Sequence, residues 1–152
     1  MKLTILAIGR AKDGPEQALC SGYLGRLPWP AELREFEVRK PLPAPDKQKQ
    51  ESDMLLAAIP DGAVVVALDG GGRDLTSPQL AEKLRQWQDD GRRDVVFLIG
   101  GADGHTDAVK ARADFKLAMG RMTWPHMLAR AMLAEQLYRA STILAGHPYH
   151  RG

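Results

Sequence analysis

The sequence predicts an α/β fold built on a mostly parallel sheet with helices on both faces. Three observations predict it. Strand-like and helix-like stretches alternate along the whole chain; two stretches, Ala63 to Leu68 and Asp94 to Ile99, are almost entirely apolar; and a long apolar helix comes last. Alternation of this kind belongs to parallel strands joined by helical crossovers. A strand that is apolar at nearly every position is buried on both faces. With 152 residues and neither a repeat nor a dividing linker, the chain reads as one domain, 1–152, able to bury roughly 70% of its unfolded surface.

Lys2 to Ile8 reads as the first strand, ended by Gly9. Pro15 to Leu27 carries Leu19, Tyr23, Leu24 and Leu27 on one helical face and stops at the Pro28-Trp29-Pro30 turn. Glu35 to Arg39 alternates Phe36 and Val38 with charges, as a half-exposed edge strand does. The proline-rich stretch Lys40 to Gln50 predicts a mobile loop leading into a helix from Asp46 to Ile59, which Pro60-Asp61-Gly62 terminates. After the apolar strand from Ala63, Ser77 as N-cap and Pro78 at the first helical position open a helix with Leu80, Leu84 and Trp87 as its buried stripe. The strand Asp94 to Ile99 follows, then a short helix over Thr106 to Asp114 and a last strand, Phe115 to Met122.

Thr123 is expected to cap the terminal helix, Pro125 to Leu144. Leu133, Leu137, Ala140 and Leu144 fall on one side of it, and Leu128, Met132 and Ile143 on the other. A helix with two apolar sides is buried on both. The expectation is that one side packs on its own sheet and the other on a second copy, making a homodimer.

Composition excludes several classes. Cys20 is the single cysteine, so no internal disulfide forms, and no cysteine and histidine spacing suits zinc; no metal is expected. The N-terminal apolar run ends at Gly9-Arg10 without a small-residue cleavage site, and no stretch approaches the roughly 20 apolar residues of a membrane span. A soluble, cytoplasmic protein is expected. Gly9 to Gly14 lacks the Lys-Ser/Thr of a P-loop, no G-x-G-x-x-G follows a strand, and there is no G-x-S-x-G elbow. The net charge of +2 permits an anionic partner without requiring one.

In open α/β sheets ligands bind beyond the carboxyl ends of the strands. Three such ends are unusual here: Leu68 to Gly72, Gly100 to Gly104, and Gly120 to Trp124. Together they point to a small-molecule pocket. A second concentration of chemistry lies at the C-terminus, where His147, Tyr149, His150 and Arg151 offer imidazoles, a stacking ring and a phosphate-binding fork. Within the preceding helix His126 and Arg130 share a face, whereas Glu135 and Arg139 lie roughly 140 to 180° away. The two pairs therefore cannot line one pocket of one subunit.

LDGGG at Leu68–Gly72, LIGGADG at Leu98–Gly104, MTWPHMLARAMLAEQLYRA at Met122–Ala140 and HPYHR at His147–Arg151 resemble the ribosomal large-subunit RNA methyltransferase H family of the SPOUT superfamily. The similarity runs the whole length, from MKLTILAIGR onward. It implies methylation of N3 of a pseudouridine in large-subunit ribosomal RNA with S-adenosylmethionine, on the assembled ribosome. It also implies a C-terminal deep trefoil knot, which general topology rules disfavour, and a homodimer. By the resemblance, Leu68, Gly100, Gly101, Gly104, Met119, Gly120, Arg121, Met122, Thr123 and Trp124 hold the cofactor. His126, Arg130, Tyr138, Arg139 and His147 face the RNA or the subunit boundary, and Glu135, Tyr149, His150 and Arg151 are the catalytic candidates. His150 and Glu135 both qualify as the base that takes the N3 proton. Rival readings are a SPOUT enzyme acting on another RNA such as a tRNA, or a non-catalytic RNA-binding or assembly protein. Ala102 stands where many relatives have proline and Trp124 where leucine is common.

Overall fold

The computed structural model describes residues 1–151. Five strands form one sheet in the order β2-β1-β4-β3-β5, and every pairing is parallel. The strands are β1 (Lys2–Ile8), β2 (Ala31–Phe36), β3 (Val64–Asp74), β4 (Asp94–Ile99) and β5 (Phe115–Ala118). The helices are α1 (Pro15–Gly25), α2 (Ala44–Ala57), α3 (Ser77–Asp89), α4 (Asp107–Arg112) and α5 (His126–Ala145).

Alternate residues of β1 and β3 enter opposite sides of the sheet. Leu3, Ile5, Val64 and Val66 join Leu80, Leu84, Leu133 and Leu137 in a core beneath α1, α3 and α5. Leu6, Ile8, Val65 and Ala67 join Leu55 and Val109 beneath α2 and α4. This two-sided burial explains the uninterrupted apolar runs of the central strands.

Several boundaries differ from the expectation. The second strand begins at Ala31, because the Pro30 carbonyl already accepts the Leu3 N–H at 2.9 Å and pairing starts directly after the turn. Pro43 precedes α2 and Pro45 sits in its first turn, where a missing N–H costs nothing, so residues 44–50 are helix and not loop. Thr76, not Ser77, caps α3 through a reciprocal bond with Gln79; Ser77 instead donates to Gln136 on α5 at 2.6 Å. The last strand stops at Ala118, two residues before Gly120 turns the chain with φ 89°. Residues 119–125 are therefore loop, and α5 starts after Pro125 without the expected Thr123 cap.

The terminal helix is packed from two directions. It packs against α1 on one side and α3 on the other, with Ala131 and Ala134 meeting Cys20, Tyr23 and Leu24. Of the side expected to meet a second copy, Ile143 packs on the core of this chain, whereas Leu128 and Met132 are half-buried outside it.

Arg130 is anchored at the centre of this packing and is 2% exposed. Its guanidinium donates to the carbonyls of Ile8 at 3.1 Å and Gly9 at 3.0 Å, and pairs with Glu35. A residue expected to face RNA instead ties α5 to the carboxyl ends of β1 and β2.

Candidate active site

Strands β4, β3 and β5 are neighbours, so their carboxyl-end loops converge at one edge of the sheet. The loops differ in construction. In β3, Leu68 and Arg73 both pair with Leu117 of β5, so Asp69 to Gly72 arch out of the sheet between them. Gly72 is forced by its surroundings: a Cβ there would lie 2.6 Å from the Lys116 carbonyl oxygen. Beyond β4, Gly101 and Gly104 make an isolated bridge, with Gly104 at φ 76° closing the turn. Past β5, Gly120 reverses the chain, and the Trp124 indole N–H donates to the Met119 carbonyl at 2.8 Å. A leucine makes no such bond, so the tryptophan closes this loop on itself.

Between the three loops lies a cavity of about 280 Å³. Leu68, Gly100, Gly101, Gly104, Met119, Gly120, Arg121, Met122, Thr123 and Trp124 all line it, so every residue expected to hold a cofactor meets in one place. His126 also lines it, from the first turn of α5. Ile99, Leu117 and Ala129 add apolar surface, and Asp69 adds a carboxylate.

His105, which sequence reasoning missed, is a further lining residue and is buried. Its Nε2 lies 3.1 Å from the Leu98 carbonyl, an acceptor, so the ring proton resides on Nε2. Nδ1 is then a lone-pair acceptor, buried and without a partner. Burial pushes the imidazole below its ordinary range despite the bond to Leu98. A buried acceptor left unpaired costs about 1–3 kcal/mol. The cavity offers what a purine-bearing sulfonium cofactor needs: apolar walls for a ring, glycine backbone open to close approach and one carboxylate.

The catalytic candidates assemble elsewhere. Arg139 donates to Glu135 through Nε at 2.9 Å and Nη2 at 2.6 Å, and the Tyr149 hydroxyl donates to the same carboxylate at 3.0 Å. Gln136 reaches its other oxygen at 3.1 Å. Tyr138 stands between Tyr23 and Tyr149, with ring centroids 5.9 and 4.8 Å away, and the Arg139 guanidinium lies 4.8 Å from the Tyr149 ring centroid. Gly146, left-handed at φ 71°, ends α5 and turns the tail back; the His147 N–H returns to Thr142 at 2.9 Å and its ring accepts from the Tyr149 N–H at 3.1 Å. His147 and Arg151 are exposed.

Two protonation states follow. Arg139 Nη1 lies 3.2 Å from His150 Nδ1, and a guanidinium only donates, so Nδ1 accepts and the neutral ring carries its proton on Nε2. That Nε2 is buried and unpartnered. Hydrogen bonding with Tyr23, then burial and the Glu135 carboxylate, hold the Tyr149 phenol well above its ordinary range, so it remains a donor.

From His126, at the cavity, Glu135 and Arg139 lie roughly 13 and 20 Å along the helix axis at 1.5 Å per residue. None of Glu135, Tyr138, Arg139, His147, Tyr149, His150 or Arg151 lines the cavity. Cavity and tail are thus two distinct groups of chemistry in one chain, and Arg130, expected to share a face with His126, lines no part of the cavity.

A family model described as a predicted SPOUT methyltransferase matches residues 1–150. The chain belongs to this SPOUT methyltransferase family. It is 58% identical to a protein of Paramagnetospirillum magneticum named ribosomal RNA large subunit methyltransferase H, and 53% identical to one of the same name from Rhodospirillum centenum, each over 99% of both chains. A solved SpoU methyltransferase, AviRb of Streptomyces viridochromogenes in complex with AdoMet, aligns at TM-score 0.47 and 13% identity over 95% of this chain and 58% of that one. As a SPOUT methyltransferase the chain has, among its described residues, no group of side chains suited to a metal and no helix long and apolar enough to cross a membrane.

Proposed function

We propose that this protein methylates N3 of a pseudouridine in large-subunit ribosomal RNA, using S-adenosylmethionine, on the assembled ribosome in the cytoplasm. The observation that carries the reading is the meeting of all ten expected cofactor residues in one cavity, in a chain 58% identical to a relative named for rRNA methylation. A net charge of +2 is thin for gripping naked RNA, which favours recognition by shape within a particle.

When bound, S-adenosylmethionine supplies a methyl group on a sulfonium, open to in-line attack by a ring nitrogen. The acceptor N3 forms the new N–C bond as the C–S bond breaks, and its proton leaves to solvent or a base. This chain's part is alignment and the exclusion of water. Leu68, Ile99 and Leu117 would flank the cofactor's ring, and the glycine backbone would admit it closely.

The tail is better built to stabilise charge than to remove a proton. Glu135 already accepts from Arg139, Gln136 and Tyr149, and the unpaired nitrogen of His150 carries a proton rather than a lone pair. Tyr149, His150, Arg139 and Arg151 are donors or cations, suited to the negative charge that grows on the uracil ring as N3 loses its proton.

Cavity and tail lie too far apart in one chain to act on one base. A homodimer in which the tail of one subunit approaches the cavity of the other would unite them. Exposed Met122 and Trp124 at the cavity rim supply apolar surface for that contact. We further propose that the segment after β5 threads the loops around the cavity as the trefoil knot of the resembled family.

Methyl transfer from tritiated S-adenosylmethionine to intact ribosomes, free rRNA and tRNA tests the reading. Label in ribosomes, mapped to N3 of one pseudouridine, is expected. Label confined to tRNA, or none with any substrate, would overturn it.

A further inference from the structure

Next to the cofactor cavity lies a second, larger one of about 480 Å³, and Gly101 and His126 line both. The remaining wall of the second includes Gly9, Arg10, Lys12, Lys47, Met127 and Glu51. Nothing in the mechanism above uses it.

Glu51 is its unusual member. It comes from α2, is 5% exposed, and its Oε1 is buried with no hydrogen-bond partner. Its carboxyl is pressed against the shared wall: a Cβ on Gly101 would lie 2.7 Å from Oε1. A buried carboxyl without a partner is unfavourable for folding, and such groups call for an explanation. The other acid of the cavity, Glu37, already pairs with Arg10 at 3.2 Å. Lys47 lies near enough to favour its charge and Asp103 opposes it, but no side chain bonds the buried oxygen. Burial nonetheless pushes the carboxyl above its ordinary range, which favours a protonated form able to donate as well as accept.

We propose that the second cavity receives the pseudouridine base and that the Glu51 carboxyl accepts its N1–H, so that Glu51 selects pseudouridine over uridine. The inference rests on the reading above. In pseudouridine the ribose is joined at C5, so N1 bears a proton on the far side of the C2 carbonyl from N3. With the same sugar attachment, uridine presents a C–H at that place. A base seated in the second cavity with N3 turned toward the shared wall offers Glu51 an N–H and the adjacent carbonyl, the edge that a carboxyl matches. Arg10, Lys12 and Lys47 line the same cavity and suit the flanking phosphates. Uridine would leave the buried carboxyl unpaired, and sites built to hydrogen-bond a substrate N–H discriminate strongly against analogues that lack it.

The test compares ribosomes carrying pseudouridine with ribosomes carrying uridine at the target position, as kcat/KM for methyl transfer. Wild-type protein should prefer pseudouridine by roughly 100-fold or more. Glu51→Met keeps the side-chain length without the polar atoms, and Glu51→Asp withdraws the carboxyl by one methylene. Each should cut the preference at least about tenfold, mostly through slower reaction of the pseudouridine substrate, with S-adenosylmethionine affinity by calorimetry unchanged. Glu51→Gln, whose amide oxygen still accepts, should keep most of the preference. Two folded variants, Met and Asp, guard against loss of one to misfolding. Retention of the wild-type preference by either folded variant overturns the proposal, as does a wild-type protein indifferent to the two ribosomes. Activity on neither ribosome would instead overturn the function proposed above, and this inference with it.

Discussion

Replacing Arg130 with methionine should destabilise the protein by about 3–5 kcal/mol, the range for removing one partner of a buried ion pair. The structure supplies the contributions. Two carbonyls, of Ile8 and Gly9, lose a charged donor, and each buried acceptor left unpaired costs about 1–3 kcal/mol. Glu35 loses its cation but keeps the Ala11 N–H at 2.6 Å and is 22% exposed, so water moderates its share. For a chain of this size the corresponding fall in thermal midpoint is roughly 6–20 °C at about 2–4 °C per kcal/mol. Burial pushes the Glu35 carboxyl up, but the Ala11 N–H and Arg130 outweigh it and hold the group below its ordinary range. A carboxylate with a depressed folded value stabilises above its unfolded value of about 4.3 and loses that contribution as pH falls through the folded one. The gap between wild type and Arg130→Met should therefore narrow below about pH 4. Urea unfolding at fixed protein concentration, repeated from neutral pH down to acid, measures both quantities. A penalty under about 1 kcal/mol, or one that does not change with pH, refutes the reasoning.

Alanine at both Tyr149 and His150 should slow methylation of ribosomes about 100-fold or more, the scale for lost donors to developing charge, with S-adenosylmethionine affinity by calorimetry intact; unchanged turnover would remove the tail from the mechanism. Burial should hold the His105 imidazole below the ordinary histidine value, seen by NMR titration of its ring protons. Because its folded value is depressed, stability should fall as pH drops below the unfolded value of about 6.5 and level off beneath the folded one, a slope that His105→Gln should abolish. Sedimentation at micromolar concentration should report a dimer, and a monomer would break the proposed union of tail and cavity.

Apolar patterning made the sheet legible. The run from Asp94 to Ile99 is the observed β4, and the alternation of strands and helices carries the layer order. Periodicity marks burial but not the burying partner: it separated two apolar sides of α5, but not the third contact, where Ala131 and Ala134 meet α1. Arg130 misled for a related reason. An arginine in a helix suits phosphate as well as a pair of carbonyls, and only the fold brings Ile8 and Gly9 to it across more than a hundred residues. The cavity was legible because glycines mark strand ends. His105 and Glu51 were not, since each is an ordinary polar residue in its local sequence and becomes unusual only when the sheet closes around it.

The double pairing of Leu117 separates two jobs that a continuous strand would combine. Because Leu68 and Arg73 share one partner, β3 carries five extra residues between Leu68 opposite Leu117 and Asp74 opposite Ala118, and the ladder continues on both sides of them. The arch resembles an insertion spliced into a finished sheet. It projects Asp69 and Gly70 into the cavity while the strands on either side stay paired, and at Gly72 it lies too close to β5 to carry a side chain. The sheet thus supplies the cavity's rim from the middle of a strand, where a rim built only at strand ends would hang free.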